Sequence, residues 1–416
     1  MYRVFKFGGA SVKDAQGVKN LKKILEIYKD EKLFVIISAM GKMTNQLEKV
    51  LDSWYFSPDS IRSNFEIVKN FHLDIARQLE NNEGEITSVL FPLLNRFFEK
   101  VTGEKSNNYD KDYDTIVSFG EILSTTLIST YLNQNGYAHD FVSAFHLVKT
   151  DDTFREGKVM WQETEQAIQG YVAKHNSKTI ITQGFISGTS NGAITTLGRE
   201  GSDYSAAIFA YCLNAKEVTI WKDVPGLLNA DPKFYPDAVK LDTISYQEAI
   251  ELAYYGATII HPKTIKPLQN KRIPLFVKSF LDPYNEGSMI SNENPAENIP
   301  SYIFKTEQIL LSIFPKDFSF IAADNLTKIF FYISKNKLKI NLMQNSAVSF
   351  TICMDNKPNR FSNLLKDLED DFMVKYNTNK KLITIRHYNQ ESINKVIGNQ
   401  PVILEQKSRS TLQVVL

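Results

Sequence analysis

The hydrophobic pattern opens with a short apolar run, Val4–Phe7, which stops at Gly8-Gly9. Val18, Leu21, Ile24, Leu25 and Tyr28 follow at helical spacing, and then the continuous apolar run Leu33–Ile37. Such a run, without polar alternation, predicts a parallel strand buried on both faces. From about Leu47 to Thr102 the period is helical (Leu47, Val50, Leu51, Trp54, then Phe65, Val68, Phe71, Leu73, Ile75), which predicts an all-helical insertion over about 47–110. Asp114–Phe119 then leads into a helix over Glu121–Leu132. Strands are predicted at Ala138–Val142, Thr179–Gln183 and Ala215–Trp221, with a helix at Asp203–Leu213 and a last strand at Pro274–Ser279. Strands alternating with helices imply an α/β fold, a mainly parallel sheet between two helical layers.

From Asp282 to Pro300 the pattern lapses into turn signals, among them Asp282-Pro283, Glu286-Gly287, Asn294-Pro295 and Ile299-Pro300. A boundary there divides a domain over 1–285 from a region over 300–416. The second region reads strand Ile309–Phe314, helix Leu326–Asn336, strands Ile340–Gln344 and Ser349–Met354, helix Phe361–Leu368 and strand Phe372–Tyr376. That is a ferredoxin-like βαββαβ unit over about 309–378. An incomplete second copy follows through Leu382–His387, Glu391–Ile397, Val402–Gln406 and Leu412–Leu416, with Tyr302–Phe304 available as a missing edge.

Composition narrows the function. A net charge of +1 leaves no global field for nucleic acid or an anionic membrane, so any anion site must be local. Only Cys212 and Cys353 are present, and the six histidines lack metal-ligand spacing, so neither a disulfide framework nor a metal site is expected. The N-terminus reads as a strand with charges at alternate positions, and no apolar run reaches the roughly 20 residues that span a bilayer. A cytoplasmic protein is expected.

Chemistry concentrates where strands meet small residues. Lys6 follows a strand and precedes two glycines, a place where backbone amides and an ammonium can meet phosphate oxygens. No G-x-x-x-x-G-K-[ST] occurs, so the loop is not a Walker motif. Taken singly the other signals have ordinary structural readings. Glu121 suits the first turn of a helix, Ser202-Asp203 an N-cap, Asp223–Gly226 a turn, and His261-Pro262 a helix junction.

Taken together, KFGGASV at Lys6–Val12, SFGE at Ser118–Glu121, GREGSDYSAA at Gly198–Ala207, WKDVPGLLNADPK at Trp221–Lys233 and AIELAYYGATIIHPKT at Ala249–Thr264 resemble the aspartokinases, members of the amino-acid kinase superfamily. The resemblance covers roughly 1–280, and the tail resembles the family's ACT-type regulatory domains. It implies transfer of the ATP γ-phosphate to the β-carboxylate of L-aspartate, the first step toward lysine, threonine and methionine. It implies that Lys6 stabilises the phosphoryl group in flight while Asp203 orients Lys6 and substrate. Ser38 and Thr44 would position the side-chain carboxylate, Glu121 the ammonium and Arg199 the α-carboxylate, with Ser202 also on the substrate side. Lys6, Gly8, Gly9, Ser11, Trp221, Lys222, Asp223, Leu228, Lys233 and Thr258 would line the ATP site, with Mg²⁺ held through the phosphates and no protein metal site. A homodimer through the ACT-type region is the expected assembly.

The chemistry agrees with that set. A dicarboxylate bearing an ammonium calls for a guanidinium fork, a carboxylate and neutral hydroxyls. Its nucleophilic carboxylate is already ionised at pH 7 and needs no general base. The chain departs from many relatives at Ala10 (Thr), Glu200 (Gly), Lys222 (Thr) and Thr258, where several carry a phosphate-contacting lysine; Lys222 or Lys233 is expected to compensate. In the tail, Asn341 stands where lysine-sensitive relatives have aspartate, and Gln344 and Asn345 resemble the amide pair of other effector sites. Feedback control by an amino acid and a fold retained for dimerisation both remain open. Two other functions compete: a kinase for another acidic amino acid, and an amino-acid sensor with a decayed kinase half.

Overall fold

A computed structural model describes residues 1–80, 84–257, 260–293, 299–317 and 319–416. The chain divides into two compact units. The first holds Met1–Leu227, Lys240–Ile250 and Ile260–Pro295; the second holds Leu228–Val239, Glu251–Ile259 and Ala296–Leu416. No described helix is long and apolar enough to cross a membrane.

The first unit is built on an eight-stranded sheet in the order Thr243–Ser245, Ser288–Ser291, Leu275–Ser279, Glu217–Lys222, Tyr2–Phe7, Lys32–Ile37, Thr179–Gln183, Asp140–Phe141. Every neighbouring pair is parallel except Leu275–Ser279 with Ser288–Ser291. The central strands are buried on both faces, as their unbroken apolar runs require. Alternate residues of these strands serve different layers. Phe5, Phe7, Val35 and Ile37 join the core formed with Val18, Leu21, Leu47, Val50 and Leu123. From the other face Phe34 stacks on Phe209 of helix Gly201–Leu213, ring centroids 4.5 Å apart.

The region between the second and third predicted strands is helical: Met43–Phe56, Ile61–Leu79, Glu85–Thr102, Tyr109–Val117 and Phe119–Gln134. The strand expected at Ala138–Val142 shrinks to the sheet edge Asp140–Phe141. Pro274–Ser279 is not the last strand of its sheet. The turn-rich stretch after it contains Ser288–Ser291, which folds back onto Leu275–Val277. Of the turn signals there, Asn294-Pro295 lies outside the described residues.

The second unit carries a six-stranded sheet in the order Ile340–Asn345, Phe350–Asp355, Ser301–Pro315, Phe372–Arg386, Thr411–Val415, Leu404–Lys407, antiparallel throughout. The expected short strands Tyr302–Phe304 and Ile309–Phe314 are two ends of one 15-residue strand. The same holds for Phe372–Tyr376 and Leu382–His387 within Phe372–Arg386, also 15 residues long. Polar residues in mid-strand interrupt the apolar pattern, yet the backbone ladder continues across them with register shifts around Gln308. One end of the sheet buries Ile309, Leu311 and Ile313 under Ile329, Ile333, Leu364 and Leu368. The other packs Ile383, Ile385, Leu412 and Val414 with Ala230, Tyr302 and Ile397.

Candidate active site

The functional residues of the first unit gather where its parallel strands end. Lys6 and Phe7 stand level with Ile36 and Ile37, Ile37 with Gln183, and Phe7 with Trp221. The loops that follow these strands therefore open on one edge, the usual place for a ligand crevice in a parallel α/β sheet. A cavity of about 570 Å³ lies there, lined by Lys6, Ser38, Thr44, Glu121, Arg199 and Asp203 among others.

Lys6 reaches it by strand periodicity. With Phe5 and Phe7 turned toward the helical bundle, Lys6 points to the opposite face and meets the first turn of helix Gly201–Leu213. There its ammonium lies 2.6 Å from Asp203 Oδ1, both side chains almost wholly buried. Burial alone would raise the Asp203 carboxyl, but the ammonium groups of Lys6 and Lys222 hold it below the usual range.

Two glycines fix the walls. A Cβ on Gly9 would sit 2.7 Å from Gly41 O and 2.8 Å from Ala39 O, while Gly9 O accepts the Gly41 amide at 2.9 Å. The loops after the first two strands thus touch backbone to backbone. Gly120 does the same for helix Phe119–Gln134, where a Cβ would meet the Ala39 Cβ at 2.9 Å. That close approach places Glu121 in the cavity wall at 3% exposure, with Oε2 lacking a hydrogen-bond partner. Burial pushes its carboxyl up to about 8, offset only in part by the Ala39 amide and the Lys6 charge.

Ser38 ends its strand, its amide donating to Phe7 O at 3.1 Å and its carbonyl accepting from Ser124 Oγ at 2.7 Å. Thr44 stands in the first turn of Met43–Phe56. Ser202 is buried in the wall beside Asp203. Arg199 is exposed on the turn before the helix. Glu200 departs from glycine yet adopts φ +54°, and its carboxylate accepts the His261 amide at 3.0 Å. His261 itself caps helix Pro262–Lys271, accepting the Lys263 amide on Nδ1.

The expected nucleotide residues are arranged differently. Gly8 stands beside the Lys6 ammonium, where an added Cβ would come within 3.2 Å of Nζ. Ser11 does not present its polar groups outward: its amide donates to Gly8 O at 2.9 Å and its hydroxyl to Trp221 O at 3.1 Å. The Trp221 indole is fully buried, stacked on Phe7 at 6.1 Å, and lines no part of the cavity. Lys222 and Asp223 follow at the strand end, with Lys222 close enough to act on the Asp203 charge. Leu228 and Lys233 belong to the second unit, where the Lys233 amide donates to Asp231 Oδ1 at 2.9 Å. Thr258 lies outside the described residues.

Residues with no motif signal also line the cavity: Asn45, Glu48, Tyr113 and Arg155. Glu48 stands one helical turn after Thr44 on the same helix; Tyr113 comes from helix Tyr109–Val117 and Arg155 from a turn, both far from Thr44 in sequence.

In the second unit Asn341 is already engaged. Its Oδ1 accepts from Lys305 Nζ at 2.7 Å, and its Nδ2 donates to Gln308 and to Asp355, both at 2.8 Å. Gln344 and Asn345 are exposed at the end of the sheet's edge strand.

Residues 1–279 match the amino acid kinase family. Aspartokinase 3, chloroplastic, of Arabidopsis thaliana is 30% identical over 415 residues, covering 95% of this chain and 71% of that protein. Among solved structures, Escherichia coli aspartokinase III in complex with aspartate and ADP (R-state) superposes with a TM-score of 0.82 at 25% identity, over 100% of this chain and 96% of that one. The same E. coli protein in complex with lysine and aspartate (T-state) gives 0.83 at 24% identity, over 100% and 95%.

Proposed function

Because the chain belongs to the amino acid kinase family and, within it, to the aspartokinases, we infer that it phosphorylates the β-carboxylate of L-aspartate with ATP. The observation that carries this is the Lys6–Asp203 pair inside a cavity that also gathers Ser38, Thr44, Glu121 and Arg199.

In the proposed reaction a β-carboxylate oxygen of aspartate forms a bond to the γ-phosphorus as the bond to the ADP oxygen breaks. The nucleophile is already an anion, so the protein's part is positioning and charge neutralisation. Lys6, held by Asp203, neutralises charge on the phosphoryl oxygens in transit. The Arg199 fork takes the α-carboxylate, and the Ser38 and Thr44 hydroxyls orient the reacting one. The unpartnered oxygen of Glu121 receives the ammonium. That last contact favours aspartate over an N-acylated acid, because a neutral acyl amide cannot replace the cation a buried carboxylate lacks.

The nucleotide roles of Lys222, Asp223, Leu228, Lys233 and Thr258 rest on the motif resemblance. Among the described residues no group of three or more His, Cys, Asp or Glu could hold a metal ion. Mg²⁺ is proposed to arrive on the ATP phosphates, where it would supply charge neutralisation, because it keeps its waters and needs few protein ligands. An amino-acid effector and a homodimer are proposed for the second unit, supported by the exposed amides Gln344 and Asn345 and by exposed Phe331 and Met343.

The test is ADP release with aspartate, glutamate and N-acetylglutamate as acceptors. Aspartate-dependent release is expected, with the other two far weaker. Preference for either alternative, or no turnover with any, overturns the reading.

A further inference from the structure

Among the described non-glycine cavity residues outside the quoted motifs, Arg155 and Phe185 both have a positive φ, and of the two Arg155 alone carries a charge. Its φ of +67° is the left-handed region that glycine adopts readily and other residues seldom do. Such a conformation persists only where the surroundings over-determine it, and it marks a candidate functional position. Here three contacts hold it, two of them from helix Tyr109–Val117. The Arg155 amide donates to Asp114 Oδ2 at 2.8 Å; Asp114 is wholly buried and also accepts the Thr196 hydroxyl at 2.6 Å. The guanidinium lies over the Tyr113 ring, 4.1 Å from its centroid, and the Tyr113 hydroxyl donates to Glu48 Oε1 at 2.7 Å. The Arg155 carbonyl borders the Gly198 turn that carries Arg199: a Cβ on Gly198 would stand 3.2 Å from it.

These contacts orient a planar cation toward the space that Arg199 also lines. The charges facing it explain little of its cost. Asp110 Oδ1 is 3.4 Å from Nη1 with both side chains about half exposed, a pair worth little in water. Glu48 is already engaged by Tyr113. Stacking occupies the face of the guanidinium, whereas carboxylates are taken at its N–H edge.

We propose that Arg155 is a second substrate-reading cation, which works with Arg199 to draw in and hold the carboxylates of the acidic substrate. This rests on the reading of the site as one for aspartate. Its contribution is to affinity, equal in ground state and transition state, so it acts on the aspartate KM and not on kcat. Being half exposed, it also acts through a field that salt screens.

Arg155→Gly tests this, because glycine suits the positive φ and removes only the side chain. The expected result is a melting temperature no lower than that of the parent and kcat and ATP KM within about twofold. The aspartate KM should rise roughly three- to tenfold at low salt, as for loss of one screened charge contact, with the difference shrinking at high salt. Arg155→Lys, which keeps the charge, should restore most of the low-salt affinity. An unchanged aspartate KM, or a loss confined to kcat or to stability, overturns the proposal while aspartate turnover by the parent protein keeps the site reading intact. A parent protein without aspartate turnover overturns both.

Discussion

Lys6 Nζ and Asp203 Oδ1 lie 2.6 Å apart, joining the end of a central strand to the first turn of the helix behind it. The pair fixes a flexible ammonium at one point of the cavity, so its charge is in place before the phosphoryl group moves. Lys6→Ala is expected to lower kcat about 10²-fold or more and also to lower the melting temperature, because the buried Asp203 carboxylate loses its nearest cation. Asp203→Asn should cost less, and the double variant should resemble Lys6→Ala alone, because the carboxylate acts through the lysine. Steady-state kinetics of the three proteins decide it; additive losses would separate the two roles.

Arg199→Lys should raise the aspartate KM by about tenfold or more, since a point charge cannot reproduce a two-pronged grip on a carboxylate. A changed ATP KM with unchanged aspartate saturation would move Arg199 to the other substrate.

Glu121 makes the site pH-dependent. Its folded value, about 8, is far above the ordinary 4.5, so the folded protein keeps a proton there that the unfolded chain has lost. Stability should therefore fall as pH rises from about 4.5 to about 8, by a few kcal/mol, and Glu121→Gln should flatten that slope. Aspartate binding near pH 7 should expel the proton, because the substrate ammonium favours the ionised carboxylate. Calorimetry in buffers of different ionisation enthalpy should show close to one more proton released by the parent protein than by Glu121→Gln. Equal proton counts would contradict this.

Gly9→Ala places a methyl group against two backbone carbonyls that cannot rotate away. A loss of about 1–3 kcal/mol is expected in denaturant unfolding, together with weaker activity, as the two loops are forced apart. Unchanged kinetics would show that the loop contact is dispensable.

In the second unit Asn341 spends its amide on Lys305, Gln308 and Asp355 and offers no negative charge to a ligand ammonium. Lysine alone is expected to leave activity nearly unchanged at millimolar concentration, with threonine the better inhibitor through Gln344 and Asn345. Titration of each amino acid against activity, singly and together, checks this, and full inhibition by lysine alone would refute it.

By itself the sequence pointed to the sheet, because an apolar run as short as Leu33–Ile37, followed by small residues, suits a strand covered on both faces better than a helix. It also determined which of Phe5, Lys6 and Phe7 turns away from the helical bundle, since side chains alternate along a strand. Ser38, Thr44, Glu121, Arg199 and Asp203 were picked out by the motif resemblance, because taken singly Glu121 reads as a first-turn acid and Ser202-Asp203 as an N-cap. What local pattern could not give were relations between segments far apart in the chain. Trp221 is a core residue because Phe5 and Phe7 are brought against it. Ser11 is spent on the Trp221 carbonyl. The paired 15-residue strands of the second unit run through polar stretches because each supplies the other's backbone hydrogen bonds. Arg155 enters the cavity because buried Asp114 and the Tyr113 ring hold it there. Burial and partner choice are properties of the packed chain, and only the tertiary structure decided them.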